Sequence, residues 1–352
     1  MSAAHNQTTD GPGLARWRIW AFVLGSVVLL GAAAGYSVYA AQRHSSTVAS
    51  ASAHPVSSTL PLTGASKILY VSTAVGADEY HLAEVPEADA GASPALSTLK
   101  CERAYSAAQT VICLAMGSSL DATQYAKVYQ DTSGTPRLVN QIALPGNPSR
   151  ARVSADGELV SWTVFVSGDS YNGPQFSTRT GLYDLKTGTV IPSLETFTAK
   201  VNGSIYRAVD INYWGITFAS DDVHFYVTMG SAGQTWLMRG DLTAHTLTSV
   251  ISNVECPSLS PDGTRIAFKK RVSTNLAAPW RLYVLDLATL KETPLAETRS
   301  IDDQAAWLND STVMYQVPQA AGYDIWEVPA DGTGTPKILI HNGNSPAVVG
   351  GS

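Results

Sequence analysis

The chain has 352 residues, of which 45% are hydrophobic and 15% charged, with 28 Gly, 18 Pro and a formal net charge of -6. That is enough apolar material for a large core. Leaving out the residues before 45, with Arg16, Arg18, Arg43 and Asp10, leaves 20 basic and 28 acidic groups, the wrong sign for a phosphate backbone, which excludes nucleic acid as a partner.

Residues 1–18 are too short and polar to fold and read as a cytoplasmic segment. Residues 19–41 follow as a transmembrane anchor: no charge occurs from Ile19 to Gln42, and such a helix is roughly 35 Å long against a hydrocarbon core of about 30 Å. Arg16 and Arg18 precede it, Trp17 and Trp20 stand at that edge and Tyr36 and Tyr39 at the other, which orients the N-terminus inside. The alternative is a signal peptide cleaved after Val38-Tyr39-Ala40, giving a secreted protein; its apolar run is long for that role. Either reading places the remainder outside the cytoplasm. Residues 42–65, rich in Ser, Ala, Thr and Pro, read as a flexible linker.

From about residue 66 short β-type runs alternate with Gly, Pro, Asp and Asn, and no sustained helical period occurs. The reading is all-β. "SPDG" at 260–263 leads into Arg265-Ile266-Ala267-Phe268, a hairpin pattern. Ser154-Ala155-Asp156-Gly157, Ala219-Ser220-Asp221-Asp222 and Trp307-Leu308-Asn309-Asp310 likewise precede apolar strands, so the turn recurs at intervals of 65, 41 and 47 residues. Four short strands per unit define propeller blades at 101–146, 147–195, 210–251, 253–297 and 300–340. The strands at 67–85 and 95–99 lack a first strand, and 342–349 is a first strand without followers. Joining them completes a six-bladed β-propeller over 66–349, closed by pairing of its N- and C-terminal strands.

Cys101 and Cys113 lie symmetrically about Ala107, so a turn centred there puts them opposite each other on two strands. A disulfide suits an exported domain; two buried free thiols are the alternative. Cys256 occupies the repeat position of Cys101, has Phe268 where a partner would stand, and should remain unpaired.

Pro257-Ser258-Leu259-Ser260-Pro261-Asp262-Gly263 resembles the repeat of the TolB-like six-bladed β-propellers, whose Pro-x-x-Ser-Pro-Asp-Gly turn precedes an apolar strand; Leu259 stands where that family usually has Trp. The resemblance covers about 280 residues and implies a platform for binding proteins or ligands. It lacks TolB's preceding α/β domain, a linker of about 25 residues standing in its place.

No Gly-x-Ser-x-Gly elbow, His-Glu-x-x-His helix, Walker loop or Cys-x-x-Cys pair occurs, so no catalytic residue is expected. Aligning the turns places Asn147, Asn212, Asn253 and Asn342, with Ser300, at one repeat position, where the innermost strands begin around one channel mouth. Two residues on come Lys100, Ser149, Trp214, Glu255, Asp302 and Asn344, with Asp210, Arg150 and Asp303 nearby. Asn at that place suits the turn between blades. Alternatively the ring is a polar, partly acidic funnel for a cation, a sugar or a peptide; no cofactor is required, and Ca²⁺ is the hard cation such carboxylates would take. The loops at 165–181 and 196–215 present Tyr171, Phe176, Tyr206 and Tyr213 for recognition, unless these pack over the blades.

The expectation is therefore a non-enzymatic, membrane-anchored extracytoplasmic scaffold with a protein partner in the cell envelope. A small-ligand, cation or glycan sensor working at the channel mouth is the alternative, and a channel-metal lyase or lactonase a third.

Overall fold

A computed structural model describes Trp20 and residues 54–118, 121–131, 133–166 and 177–351. In the 260–263 turn, Ser260 donates its hydroxyl to Asp262 Oδ1 at 2.5 Å and accepts the Arg265 amide at 3.0 Å, while Asp262 Oδ1 also accepts the Thr264 amide at 3.0 Å. These bonds hold the Asp262 carboxyl far below its ordinary range, so it is a permanently ionised turn anchor. Gly263, at φ 71, takes the left-handed position that a side chain would resist. Ser154 and Asp156 repeat the arrangement at 2.6 Å, and Asp221 Oδ1 accepts the amides of Val223 and His224. The recurring motif is thus structural.

The strands form six sheets among the described residues. Blade 1 is built from Arg103–Ala107, Thr110–Met116, Gln124–Gln130 and Arg137–Leu144, and blade 2 from Asn147–Val153, Leu159–Val166, Ser177–Asp184 and Thr189–Ile191. Blade 3 begins at Asn212–Phe218, blade 4 at Glu255–Leu259 and blade 5 at Ala306–Asn309. Blade 6 joins Gly343–Val349 to Lys67–Ser72, antiparallel, followed by His81–Pro86 and Ala95–Lys100.

The innermost strands touch in the cyclic order of blades 6, 1, 2, 3, 4, 5 and back to 6. An apolar cluster lies at every blade boundary: Leu69 with Val111, Ile112 with Val160, Leu159 with Phe225, Leu237 with Phe268, Val284 with Val313, and Met314 with Ile68. Second strands pack on both faces, which is why Thr110–Met116 and Leu159–Val166 read as nearly unbroken apolar runs rather than alternating ones. Blade faces bury against blade faces, so the ring carries its core between sheets.

The anchor at 19–41 and the segment at 1–18 lie outside the described residues except for Trp20, and among the described residues no helix is long and apolar enough to cross a membrane. The linker boundary at 65 needs correction, because the compact unit begins at His54. Val56–Ser57 pairs in parallel with Leu96 and Ser97, and Leu60 and Leu62 are each 1% exposed in the cluster between blades 6 and 1. Two leucines in a polar stretch, at a spacing of two, are what close that cluster.

The long segment before blade 3 is also more ordered than a loop. Thr198–Val201 pairs in parallel with Thr246–Thr248 and antiparallel with Ser204–Ile205, extending that blade to six strands.

Cys101 and Cys113 are bonded, S–S 2.04 Å. The register differs from the expected one: Ala107 pairs with Thr110 and Ala104 with Cys113, so the turn is centred between Ala108 and Gln109. Cys101 lies in the connection before blade 1, where its amide donates to the Tyr80 carbonyl at 2.8 Å. Cys256 is free and buried.

Candidate functional site at the channel mouth

The chain enters each innermost strand at one face of the ring, and the loops between second and third strands return to that face, because the strands are antiparallel. Asn147 pairs with Phe165, Asn212 with Gly230 and Gly343 with Ser72, so each innermost strand starts where the second strand ends.

The asparagines there bond backbone. Asn212 Oδ1 accepts the Ser177 hydroxyl at 2.7 Å and the Thr178 amide at 2.9 Å, tying blade 3 to blade 2. Asn253, at φ 58, donates to the Arg271 carbonyl and accepts its amide, both at 3.0 Å. Asn342, at φ 53, donates its backbone N–H to the Asp324 carboxylate at 2.9 Å, and Ser300 Oγ accepts the Trp280 backbone N–H at 3.1 Å. Asn147 is exposed at the rim. Left-handed dihedrals and self-bonding are the turn chemistry of this residue type.

In the next ring, expected as a polar, partly acidic funnel, buried bases stand beside the acids. Lys269 is 5% exposed, stands 3.5 Å from Glu255 and binds Asp302 of the following blade. Burial pushes the Glu255 carboxyl up, whereas at Asp302, whose side chain stays largely exposed, the partial desolvation of the carboxyl is outweighed by the Lys269 ammonium, which holds it below the ordinary range. Arg150 lies 4.0 Å from Asp303. Lys100 ends Ala95–Lys100, three strands out from the innermost strand of blade 6, so it is not in the ring at all. Trp214 packs over Gly230, where an added Cβ would meet the indole at 2.5 Å.

Among the described residues no three His, Cys, Asp or Glu side chains converge as a metal site. Glu255 and Asp302 already share an ammonium, which a calcium ion would have to displace.

Lys269 was the missed residue. It lies 16 positions after Asn253, where Thr163 and Thr228 stand 16 after Asn147 and Asn212. Those hydroxyls accept the amides of Gly215 at 3.3 Å and Cys256 at 2.9 Å, across the blade boundary. The available signal was a lysine within the apolar strand Arg265–Arg271.

Above the ring, blades 6, 1, 2 and 5 enclose a pocket of about 330 Å³ lined by Thr73, Glu79, Tyr80, Glu102, Arg103, Tyr323 and Asn344 among others. Asn344 is 3% exposed and its Oδ1 has no partner. Of the loop aromatics, Tyr171 and Phe176 lie outside the described residues. Tyr206 bonds Ser231 at 2.9 Å and packs on Trp236. Tyr213 is corrected to a core residue, 3% exposed between blades 2 and 3, because it alternates inward from Asn212.

Six radially arranged sheets around a channel filled by paired charges define a six-bladed β-propeller. Its fold is that of a TolB-like propeller: TolB from Acinetobacter baumannii superposes with a TM-score of 0.57 at 18% identity, covering 81% of this chain and 66% of that one. This chain therefore spans just under two thirds of that TolB. A chain of the nidogen/laminin complex gives a TM-score of 0.51 at 9% identity, with 81% and 98% covered. A TolB-type structure from Agrobacterium tumefaciens gives 0.46 at 12% identity, with 80% and 91% covered. No family model matches the sequence, and no curated protein matches it. At these identities the likeness establishes the fold.

Proposed function

We propose that this chain is a non-enzymatic, membrane-anchored extracytoplasmic propeller that docks a protein partner of the cell envelope on its channel-mouth face. One observation carries the reading. The loops and strand ends of that face expose Val75, Tyr80, Met116, Val209, Val272 and Leu276, with Val209 84% and Leu276 86% exposed. Apolar side chains repeated around one rim, on loops held by a rigid ring, are the pattern of an interaction surface. The anchor at 19–41 supports the membrane context, and the pairing of Lys67–Ser72 with Gly343–Val349 supports a ring clasped by its two ends. The nidogen/laminin complex is an example of a chain of this fold in a protein assembly.

The test is site-specific photocrosslinking of the full chain in its native membrane, with the probe at Val209 or Leu276 and, as outer-edge controls, at Leu138 or Ile338. A discrete protein adduct from the mouth positions alone is expected. Equal adducts from both sets, or none, would defeat the reading.

A second reading, a small-ligand or glycan sensor, is favoured by the pocket of about 330 Å³ beside the unpartnered Asn344. It predicts that Asn344→Leu abolishes ligand binding and leaves the crosslinks unchanged.

A further inference from the structure

Below the mouth, blades 1, 2, 5 and 6 wall a cavity of about 20 Å³ lined by Arg103, Arg150, Arg152, Asp303, Gln304 and Ser345 among others. A cavity of this size holds one water-sized occupant. Three guanidinium groups face one carboxylate there, an excess of positive charge.

Arg152 is the most telling member. It is 8% exposed and has no carboxylate partner: its terminal nitrogens donate to the carbonyls of Ala151 at 3.1 Å, Ala305 at 2.6 Å and Gln304 at 3.5 Å, and its plane lies 4.4 Å from the Tyr105 ring. The Nε–H groups of both Arg150 and Arg152 are buried without an acceptor. Burial pushes the Arg152 guanidinium below its ordinary value, the direction for a cation short of counter-charge. A buried ion short of counter-charge is costly, so the fold gains from anything that supplies one.

Two groups oppose a negative occupant. Asp303 accepts the Gln316 amide at 3.3 Å and stands 4.0 Å from Arg150. Gln304 donates to the carbonyls of Ile216 and Pro257, at 3.0 and 2.8 Å, which leaves its Oε1 an unpaired acceptor. The charge of Asp302 also reaches Arg150, and three cations against two carboxylates and one dipole still attract.

We propose that this cavity binds a small monovalent inorganic anion of chloride size, which accepts from the Nε–H groups of Arg150 and Arg152. Arg103 walls both this cavity and the mouth pocket, so the ion also sets the floor of that pocket. The site is independent of whether a protein docks above it.

The experiment takes the full chain in detergent and compares thermal unfolding in gluconate, chloride and bromide at constant ionic strength. A saturable, halide-specific rise of roughly 2 °C is expected, together with a bromide anomalous peak between Arg150 and Arg152 in crystals soaked in bromide. Arg152→Gln should abolish the halide dependence, and Asp303→Asn should tighten halide binding several-fold. Identical unfolding in all three salts, with only water in the cavity, overturns the proposal. Should Arg152→Gln fail to fold, the wild-type bromide map decides alone.

Discussion

Lys269, on the second strand of blade 4, binds the carboxylate of Asp302 in the connection leading into blade 5 and so ties that connection to blade 4 through one ammonium group. The same nitrogen is 3.5 Å from Glu255, whose side chain is nearly as buried as its own, while Asp302 is largely exposed. The two acids therefore depend on the lysine to different degrees.

Lys269→Met strips the buried Glu255 of its nearest counter-charge and should destabilise the domain by about 3 kcal/mol. Asp302→Asn should cost under about 1 kcal/mol, since an exposed partner is screened. Urea unfolding of both variants checks the ranking, which a purely solvated pair would not produce.

Asp222 carries a pH dependence. Burial, a bond to Asp156 and the charges of Asp156, Asp221 and Glu158 push its carboxyl up to about 6 from 3.8. A raised carboxyl binds its proton more tightly in the folded state, so this group adds stability as pH falls from above 6 towards 3.8. Asp221, depressed to about 2, withdraws its contribution only below 3.8. Melting should therefore occur at higher temperature at pH 5 than at pH 7.5 on account of Asp222, and Asp222→Asn should raise the pH 7.5 value and flatten the difference. Asn tolerates the φ of 55 at this position. An unchanged pH profile in the variant would refute the assignment.

Cysteine chemistry gives a count. Of three cysteines, only Cys256 should react with maleimide in denaturant without reductant, and all three after reduction. Burial pushes the Cys256 thiol up, so it should be inert in the folded protein. The bridge spans 12 residues, and Cys101→Ser with Cys113→Ser should cost on the order of 3 kcal/mol in chemical unfolding.

Gly215 sits at φ 71 with its missing Cβ 3.0 Å from the Cys256 Cα of the next blade. Gly215→Ala meets backbone as well as an unfavourable dihedral, and should destabilise by about 2 kcal/mol. Gly188→Ala, at φ 72 with open space around it, should cost less, which separates the dihedral from the contact.

The sequence by itself determined the blades. Asp156, Asp221 and Asp262 build turns from atoms within a few residues, and each apolar second strand follows its turn directly, so four-stranded units and the composite sixth sheet could be counted from local chemistry. Only the tertiary structure decided what faces the channel. The innermost strands of blades 3, 4 and 6 each carry a register shift where Gly215, Cys256 and Ser345 adopt positive φ, and such a bulge breaks the two-residue alternation that sequence reading relies on. The bases that stand beside Glu255, Asp302 and Asp303 come from other strands, Lys269 from the second strand of blade 4 and Arg150 from the first strand of blade 2, and the closed ring brings them to the acids. Leu60, Leu62 and the hairpin of Thr198–Val201 with Ser204–Ile205 were hidden for a related reason: their partners are strands distant in the chain, and no local pattern records a contact made only when the ring assembles.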